Sequence, residues 1–235
     1  DNAMWNGVFM QFGIGTKNRP MSNALDITAH EWTHGIINKT ANLEYKFQSG
    51  ALNESFSDVF GAMIDTKDWT MGEDVILPGN PRKPRNLQDP NNGGKSPNDI
   101  GIGWRPGHMD EFLDLTIDLD NGGVHYNSSI TNHAAYLIAE AIGRPKTERL
   151  YYHILVNYLT PTSQFIDCRL FAEVAANDLY PGDDQVMRAV KNAFAAVGIG
   201  EAAEEVADDD DSSSPAVERS SWVATVGAGA NGENT

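Results

Sequence analysis

Residues 24–35 read ALDITAHEWTHG and contain the pattern H-E-x-x-H at His30, Glu31 and His34. Apolar residues recur at helical spacing through this segment, so the two histidines lie one turn apart on one helix face. Both imidazoles can therefore reach one zinc ion, with Glu31 beside the open coordination position as a base. The alternative is a pair of surface histidines and a solvated glutamate, because so short a pattern also arises by chance.

A second predicted helix supplies a third zinc ligand. Residues 49–61 read SGALNESFSDVFG, with Glu54 20 residues after His34 and Asp58 one helical turn further on. Zinc that is held by two histidines and keeps a water needs one more protein ligand, and Glu54 can supply it. Asp58 can accept the spare N–H of a ligating histidine. The alternative is a polar helix face, but the two segments together favour a zinc site.

The other segments predict a mainly α-helical fold. Residues 1–16 mix aromatic, apolar and glycine residues, which predicts a strand or hairpin. Residues 66–120 are rich in Pro, Gly and Asn and predict a long irregular loop, which is usually functional or held in place by something such as an ion. Thr162 or Ser163 can cap the helix at 163–179, and Gly198 can end the last helix. Helices are expected at residues 24–38, from Ser49 or Gly50 onwards, and at about 125–142, 147–159, 163–179 and 184–197.

The composition limits the partners that the protein can have. The chain has 235 residues with 33 acidic and 17 basic side chains, a formal net charge of −16. Such an acidic excess argues against nucleic acid as a partner, because phosphate binding requires clustered cations. No apolar run reaches the length of about 18 residues that a membrane helix needs. The single cysteine, Cys168, excludes an internal disulfide and is expected to be a buried, inert thiol.

With these motifs in order, the sequence resembles the thermolysin family of secreted zinc endopeptidases over about residues 2–200. The matching stretches are ALDITAHEWTHG, LEYKFQSGALNESFSDVFG, WTMGEDV, DNGGVHYNS, NHAAYLI, LTPTSQF and DLY. The resemblance implies the helical C-terminal lobe of a thermolysin-like zincin at 24–200, preceded by a short remnant of the N-terminal β lobe at 1–23. Residues 201–235 are expected to form an acidic, low-complexity, disordered tail, with an acidic docking tail as the alternative.

The start of the chain at Asp1 suggests a processed product or a fragment. The resemblance then implies that most of the N-terminal lobe, or a propeptide, is missing from this chain. It also implies a secreted protein that works outside the cell.

The resemblance further implies the roles of the residues at the metal. His30, His34 and Glu54 would hold the zinc ion. Glu31 would deprotonate the zinc-bound water and then pass the proton to the leaving amine. The partners of the two ligating histidines would be Asn53 and Asp58.

The same resemblance implies the residues that bind the substrate. His125, oriented by Asp120, and Tyr45 would stabilise the negative oxygen that forms on the attacked carbonyl. Arg85, in PRNLQDP, would bind the carbonyl beyond the scissile bond. The edge strand that pairs with the substrate backbone would contain Asn2, Ala3 and Trp5. The pocket for the residue after the scissile bond would be apolar, and therefore select a hydrophobic side chain, with the lining Met21, Ile27, Met71 and Val75.

Calcium is the second metal that the resemblance implies. The carboxylates at family positions around calcium are Asp26, Asp65, Asp68 and Glu73, and hard oxygen ligands suit this ion. Thr70 stands where the family often has another acid, which favours one calcium over a pair. Residues 13–16 lack the aspartates of a further calcium loop, so no ion is expected there. The alternative is a set of unpaired surface carboxylates.

The segment at residues 101–118 departs from the family pattern. Its acids could bias the cleft toward basic substrates or merely solvate a loop, and we favour the loop. These acids are Asp110, Glu111, Asp114 and Asp118. Three further histidines match no family role and are expected to be structural or on the surface, namely His108, His133 and His153.

Two hypotheses of function follow from the sequence. The first is a zinc endopeptidase that hydrolyses bonds in peptide or protein substrates through a metal-activated water. The second is a catalytically incompetent, metal-binding helical module that acts only by binding or self-association. Neither a G-x-S-x-G elbow nor a P-loop occurs in the sequence, which removes two other catalytic templates.

Overall fold

The computed structural model of the protein describes residues 2–204, so the expected acidic tail lies outside the described residues from residue 205 onwards. Two helices form the centre, α1 (Leu25–Lys39) and α2 (Phe47–Ile64). The first turn of α1 carries Asp26 and its last turn carries Lys39, which suits the helix dipole. α2 is buried along most of its length and packs most extensively against α1 and the third helix.

Four further helices complete the mainly α-helical fold that the sequence predicts. They are α3 (Asp120–Ile142), α4 (Arg144–Asn157), α5 (Phe165–Leu179) and α6 (Asp184–Ala196). Fully buried side chains from all of them meet those of α2 in one core, and each large one contributes roughly 1.5–3 kcal/mol relative to exposure. The largest of these core side chains include Leu52, Phe56, Ile130, Ile138, Tyr151, Ile154, Phe165 and Phe194.

The ends of two helices test the capping predictions. The prediction that Thr162 or Ser163 caps α5 is wrong, because the N-cap is Gln164, whose side chain forms a capping box with Asp167. The Ser163 hydroxyl instead accepts the Thr160 N–H at 2.9 Å, in the turn before the helix. Gly198 follows α6 with a φ of +80°, the left-handed conformation that ends a helix, as predicted.

A short hairpin precedes α1, which confirms the strand or hairpin predicted for residues 1–16. β1 (Ala3–Trp5) pairs with β2 (Met10–Phe12) in antiparallel register, with Met4 opposite Gln11. β1 lies against α1, where a Cβ at Gly35 would be 3.5 Å from the Trp5 ring. The division of the chain at residues 23 and 200 stays a prediction. No helix among residues 2–204 is both long and apolar enough to cross a bilayer.

The segment between α2 and α3 has little regular structure, as predicted. It contains one small antiparallel pair, β3 (Thr70–Met71) with β4 (Arg85–Asn86), and short 3-10 helices at Glu73–Val75, Pro97–Ile102 and Met109–Glu111. Buried side chains hold this segment in place, since Leu87 and Trp104 are fully buried. Asn127 of α3 also holds the backbone of Leu113, with its amide bonded at 2.9 Å to both the N–H and the carbonyl. The segment is therefore anchored to the helical core rather than loose.

Candidate metal centre

Three donor atoms from α1 and α2 converge on one point. His30 Nε2 lies 2.9 Å from His34 Nε2 and 3.4 Å from Glu54 Oε2, and His34 Nε2 lies 3.3 Å from Glu54 Oε1. Ligands about 2.0–2.1 Å from a tetrahedral zinc ion are about 3.3 Å apart, so these separations match a zinc coordination shell. The helical spacing of the two histidines and the packing of α2 on α1 produce this arrangement, and the three donors fit zinc.

Burial and charge together set the protonation of this centre. His30 is 6% exposed and Glu54 is 1% exposed. Burial disfavours the charged form of His30, but Asp58 and Glu54 outweigh it and raise the pKa of His30 to about 10. Burial likewise opposes ionisation of Glu54, yet hydrogen bonds from His30 and His34 hold the pKa of Glu54 well below its usual range. A metal cation can take the place of the proton that this anionic site attracts.

The second nitrogen of each histidine has a partner that fixes the ring. His34 Nδ1 lies 2.7 Å from Asn53 Oδ1, whose amide nitrogen donates to the Leu43 carbonyl at 3.3 Å. The amide oxygen can only accept, so Nδ1 of His34 carries the proton and Nε2 keeps its lone pair for a metal. His30 Nδ1 lies 2.8 Å from Asp58 Oδ1, within ion-pair distance but without the angle of a regular hydrogen bond.

Asp58 connects the metal centre to two other elements. Arg85 of β4 binds its carboxylate with two hydrogen bonds, of 3.0 and 2.7 Å. Asn132 of α3 donates a third at 2.8 Å. Burial alone would raise the pKa of Asp58, but Arg85 and His30 hold it well below its usual range. No sequence motif marks Asn132, or Ser57, whose hydroxyl lies 3.1 Å from His34 Nδ1.

A carboxylate without a partner lies beside the three donors. Glu31 follows His30 on α1, is 5% exposed and lines the same cleft. Its Oε2 is buried and has no hydrogen-bond partner in the structure. A buried, unpaired carboxylate oxygen is costly unless a ligand uses it, so this atom is suited to accept a proton from a bound molecule.

Two more side chains, Tyr45 and His125, approach the centre at Glu54. The Tyr45 hydroxyl donates to Glu54 Oε1 and lies 3.1 Å from His125 Nε2. Burial and the Glu54 charge raise the pKa of Tyr45, so its hydroxyl stays protonated. His125 Nδ1 lies 2.5 Å from Asp120 Oδ1, and this contact outweighs burial and raises the pKa of His125. The Tyr45 hydroxyl is therefore a hydrogen-bond donor, and the raised pKa of His125 favours the form in which both ring nitrogens carry a proton.

The start of α3 explains how His125 reaches this position. Asn121, Gly122 and Gly123 all have positive φ, so the chain turns sharply before the regular helix begins at Val124. A Cβ on Gly122 would lie 2.3 Å from the Phe47 ring. The close approach places Asp120 and His125 over the start of α2, beside Tyr45.

Comparisons with known proteins were consistent with this geometry. A family model described as the alpha-helical domain of thermolysin metallopeptidases matches residues 41–199, and one for their catalytic domain matches residues 1–38. The chain belongs to the thermolysin metallopeptidase family. A "Bacillolysin" of Brevibacillus brevis is 44% identical over 85% of this chain and 38% of its own length. A "Zinc metalloproteinase" of Listeria monocytogenes is 43% identical over 85% of this chain and 38% of its own length.

A solved structure gives the same result for the fold. The precursor of protealysin, a metalloproteinase from Serratia proteamaculans, matches with a TM-score of 0.76 and 32% identity, over 84% of this chain and 65% of that one. The chain spans a little over a third of the length of the curated relatives above. The fold and family are thus established for this part of the protein.

The metal centre of this thermolysin-family chain opens into a cleft of about 650 Å³. β1 forms part of one side, with Asn2, Ala3 and Trp5 on the lining. Four apolar side chains that the sequence predicts for the pocket after the scissile bond line the same cleft, namely Met21, Ile27, Met71 and Val75. Arg85 also lines the cleft, although its guanidinium is bonded to Asp58.

The acids of the 101–118 segment lie away from this cleft, since none of them is on its lining. Glu111 accepts the Gly107 N–H at 2.6 Å and so stabilises its own loop. The structure therefore favours the hypothesis that these acids solvate a loop over the hypothesis that they select basic substrates. The histidines without a family role have structural contacts, such as His133 Nδ1 at 2.9 Å from the Leu87 carbonyl.

Three of the predicted calcium ligands, Asp65, Asp68 and Glu73, lie at the end of α2 and in the loop after it, whereas Asp26 lies in the first turn of α1. Carboxylate oxygens of Asp65, Glu73 and Asp74 come within 4.8 Å of one another, a set that includes Asp74, which the sequence analysis missed. Asp26 is buried and accepts the N–H of Ile27 at 2.7 Å and that of Gly72. The hydroxyl oxygen of Thr70 lies 2.6 Å from a carboxylate oxygen of Asp68 and 2.8 Å from one of Glu73, and its single proton can be donated to one of them at a time.

Proposed function

We propose that the protein is a zinc-dependent endopeptidase that hydrolyses peptide bonds in peptide or protein substrates outside the cell. The observation that carries the proposal is the unpaired, buried carboxylate oxygen of Glu31 beside the convergent donors His30, His34 and Glu54. Relatives that are named as extracellular elastases, such as that of Staphylococcus epidermidis at 43% identity, support the location.

The three donors would hold zinc, and the other groups would carry out the proton transfers. Bound zinc supplies Lewis acidity that polarises the scissile carbonyl and lowers the pKa of a water to about 7. Glu31 accepts the proton of the attacking water at its free oxygen and delivers it to the leaving amine. A positioned base of this kind typically contributes about 10²–10⁴-fold to the rate.

The negative charge that develops on the carbonyl oxygen needs donors that are already in place. Tyr45 and His125 would provide an O–H and an N–H beside Glu54, with the Tyr45 hydroxyl turning from Glu54 to the substrate oxygen. Asp120 keeps the His125 ring oriented through its Nδ1. The pair therefore suits stabilisation of the transition state rather than of the substrate.

The lining of the cleft supports a preference for an apolar residue after the scissile bond. Met21 and Val75 are buried beside Ile27, and together they offer a hydrophobic wall. Filling it removes apolar substrate surface from water, at about 25 cal/mol per Å². Arg85 would contact the carbonyl beyond the bond, and the edge strand β1 would pair with the substrate backbone.

A single calcium ion near the end of α2 completes the proposal. Burial first, and repulsion from neighbouring carboxylates second, raise the pKa values of Asp26 and Glu73. The neighbours that repel them include Asp65 and Asp68, so the four predicted ligands share one electrostatic environment. A divalent cation would relieve this repulsion, and oxygen ligands from several segments suit calcium.

Hydrolysis of quenched fluorescent peptides by the full chain tests the enzyme proposal. We expect cleavage that chelator abolishes and zinc restores, with cuts before apolar residues identified by mass spectrometry. Zinc binding without any hydrolysis would contradict the proposal and favour a module that only binds. Such a module would have no need of the unpaired Glu31 oxygen or of the donors on Tyr45 and His125.

A further inference from the structure

The cleft carries more positive charge than the proposed peptidase chemistry uses. Arg82, Lys83, Arg85 and Arg105 line it, and the acidic residues on its lining are Glu31 and Glu54, both at the metal centre. The chain as a whole has a net charge of −16. A cationic wall in so acidic a protein points to an anionic group on what the cleft binds.

Arg105 is the buried residue of this wall, and several contacts hold its side chain in place. It is 5% exposed, and its Nη1 donates to the carbonyls of Ile100 at 3.0 Å and Trp104 at 2.7 Å. Its guanidinium also lies 5.0 Å from the centre of the Tyr126 ring. These contacts fix the side chain, yet its Nε is buried without a hydrogen-bond partner. Within residues 2–204, no carboxylate forms an ion pair with Arg105.

The neighbours of Arg105 make its charge costly in the free protein. Burial first, and the positive charges of Arg85 and Arg82 second, lower the pKa of Arg105 to about 10. The guanidinium is therefore still charged at neutral pH, and Tyr126 and Asp120 offset only part of this cost, without an ion pair to Arg105 among residues 2–204. Arg85 differs, because Asp58 neutralises it with two hydrogen bonds. An incoming anion would satisfy Arg105 and relieve the repulsion among the three arginines.

We propose that Arg105, with Arg82 and Lys83 at the rim, binds a carboxylate of the substrate and selects for it. Because Arg85 would contact the substrate carbonyl beyond the scissile bond under the proposed function, the carboxylate belongs to the leaving-group side, past the apolar residue. Its source is an acidic side chain or the free α-carboxylate at the end of a short peptide. The inference rests on the proposed peptidase function and adds a substrate class to it.

The test uses matched peptides cleaved by the full chain with zinc. One pair differs only in Glu or Gln at the second residue after the scissile bond, and a second pair ends at that residue as a free acid or an amide. We expect the carboxylate-bearing member of at least one pair to have about a tenfold higher kcat/KM, since charge-assisted hydrogen bonds are stronger than neutral ones. The pair that shows the difference identifies the source of the carboxylate, an acidic side chain or a free C-terminus. Equal kcat/KM values within both pairs overturn the proposal.

Variants test whether Arg105, Arg82 and Lys83 produce the preference for carboxylate-bearing peptides. Arg105→Met should remove the preference while cleavage of the neutral peptides continues, and Arg105→Lys should restore part of it. Arg188→Gln on the distant helix α6 is the matched control and should keep the full preference. If Arg105→Met does not fold, the exposed pair Arg82→Gln with Lys83→Gln should still lower the preference. A preference that survives all of these changes overturns the proposal.

A binding measurement separates this inference from the function on which it rests. If no peptide is cleaved, the peptidase proposal fails, and fluorescence anisotropy of the labelled Glu and Gln peptides decides the carboxylate site. Tighter binding of the Glu peptide that weakens with added salt supports the site, because salt screens the attraction. Equal affinities for the two peptides overturn it.

Discussion

Glu31 has a different environment from the other carboxylates at the metal centre. Glu54 is hydrogen-bonded to Tyr45 and the two histidines, and Asp58 to Arg85 and Asn132, so both are fully engaged. Glu31 keeps one buried oxygen free. An engaged carboxylate is a ligand or an orienting group, whereas a free one beside a metal can move a proton.

Replacement of Glu31 by glutamine keeps its shape and removes its basicity. We expect Glu31→Gln to lower kcat on a quenched peptide by about 10²–10⁴-fold, the range of one general base. The zinc content by mass spectrometry should stay the same, because Glu31 is outside the three donors. Glu148→Gln, on an exposed position of α4, is the control and should leave both values unchanged. A variant that loses zinc together with activity would contradict the role of Glu31 as a base.

The raised pKa of His30 predicts how zinc affinity depends on pH. Zinc must displace the proton that Asp58 and Glu54 hold on His30 below a pKa of about 10. The apparent zinc affinity should therefore rise with pH, by about tenfold per unit for one displaced proton. In the metal-free protein, this proton stabilises the fold below the unfolded pKa of 6.5, and the effect is lost as the pH rises through about 10. Competition with a chelator of known affinity measures the slope, and a flat profile would refute the prediction.

At the scale of elements, the turn before α3 determines whether His125 can reach the centre. Gly122 has a φ of +85°, and a Cβ there would collide with Phe47 at the start of α2. Gly122→Ala should lower the free energy of unfolding by at least about 1–2 kcal/mol, the cost of a left-handed residue with a side chain. It should also lower kcat, since His125 moves with the turn.

Gly101→Ala provides the matched control for the turn. Gly101 lies in a short 3-10 helix, and a Cβ there would meet nothing within 4 Å. Its urea midpoint and kcat should equal those of the wild type. Equal behaviour of the two alanine variants would mean that the close approach of Gly122 to Phe47 has no part in positioning His125.

The positions of the helices and of their ends show how much of the fold could be predicted from the sequence. Helical periodicity located the six α-helices of residues 2–204, because apolar residues recur at helical spacing along them. The cap of α5 was placed one or two residues early, because Thr162, Ser163 and Gln164 all have side chains that can cap. The non-helical start of α3 at residues 121–123 was not predicted as part of a helix, because positive φ at an Asn-Gly-Gly sequence also suits a loop.

The whole molecule explains why part of the site was missed. His30, Glu31 and His34 share one helix, so their spacing alone brings them together. Ser57 and Asn132 join the site through contacts between separate helices, and no local pattern marks such pairs. Arg105 was missed for the same reason, since it reaches the cleft from an irregular loop. Motifs within one element were predictable, whereas partners that meet only through packing were not.

Charge at the level of the whole chain predicts that calcium would be a stabilising ligand. Asp26 of α1 and the carboxylates that follow α2 repel one another within a chain that is already strongly acidic. Lys67, with its ammonium 3.4 Å from Asp65 and 3.1 Å from Asp74, offsets only part of this. A ligand that binds only the folded state at 100 times its Kd adds about 2.7 kcal/mol. For a chain of this size, that corresponds to a rise in Tm of about 5–10 °C.

Thermal unfolding with and without calcium measures this stabilisation. Asp65→Asn should abolish most of the calcium-dependent rise in Tm, because the cation loses a ligand and the repulsion that it relieves is already reduced. Asp110→Asn removes the same charge from an exposed position in the loop after β4 and should leave the rise intact, which separates a local site from a general reduction of net charge. A rise of the same size in both variants would show that calcium acts on the overall charge alone, and the site at the end of α2 would then be refuted.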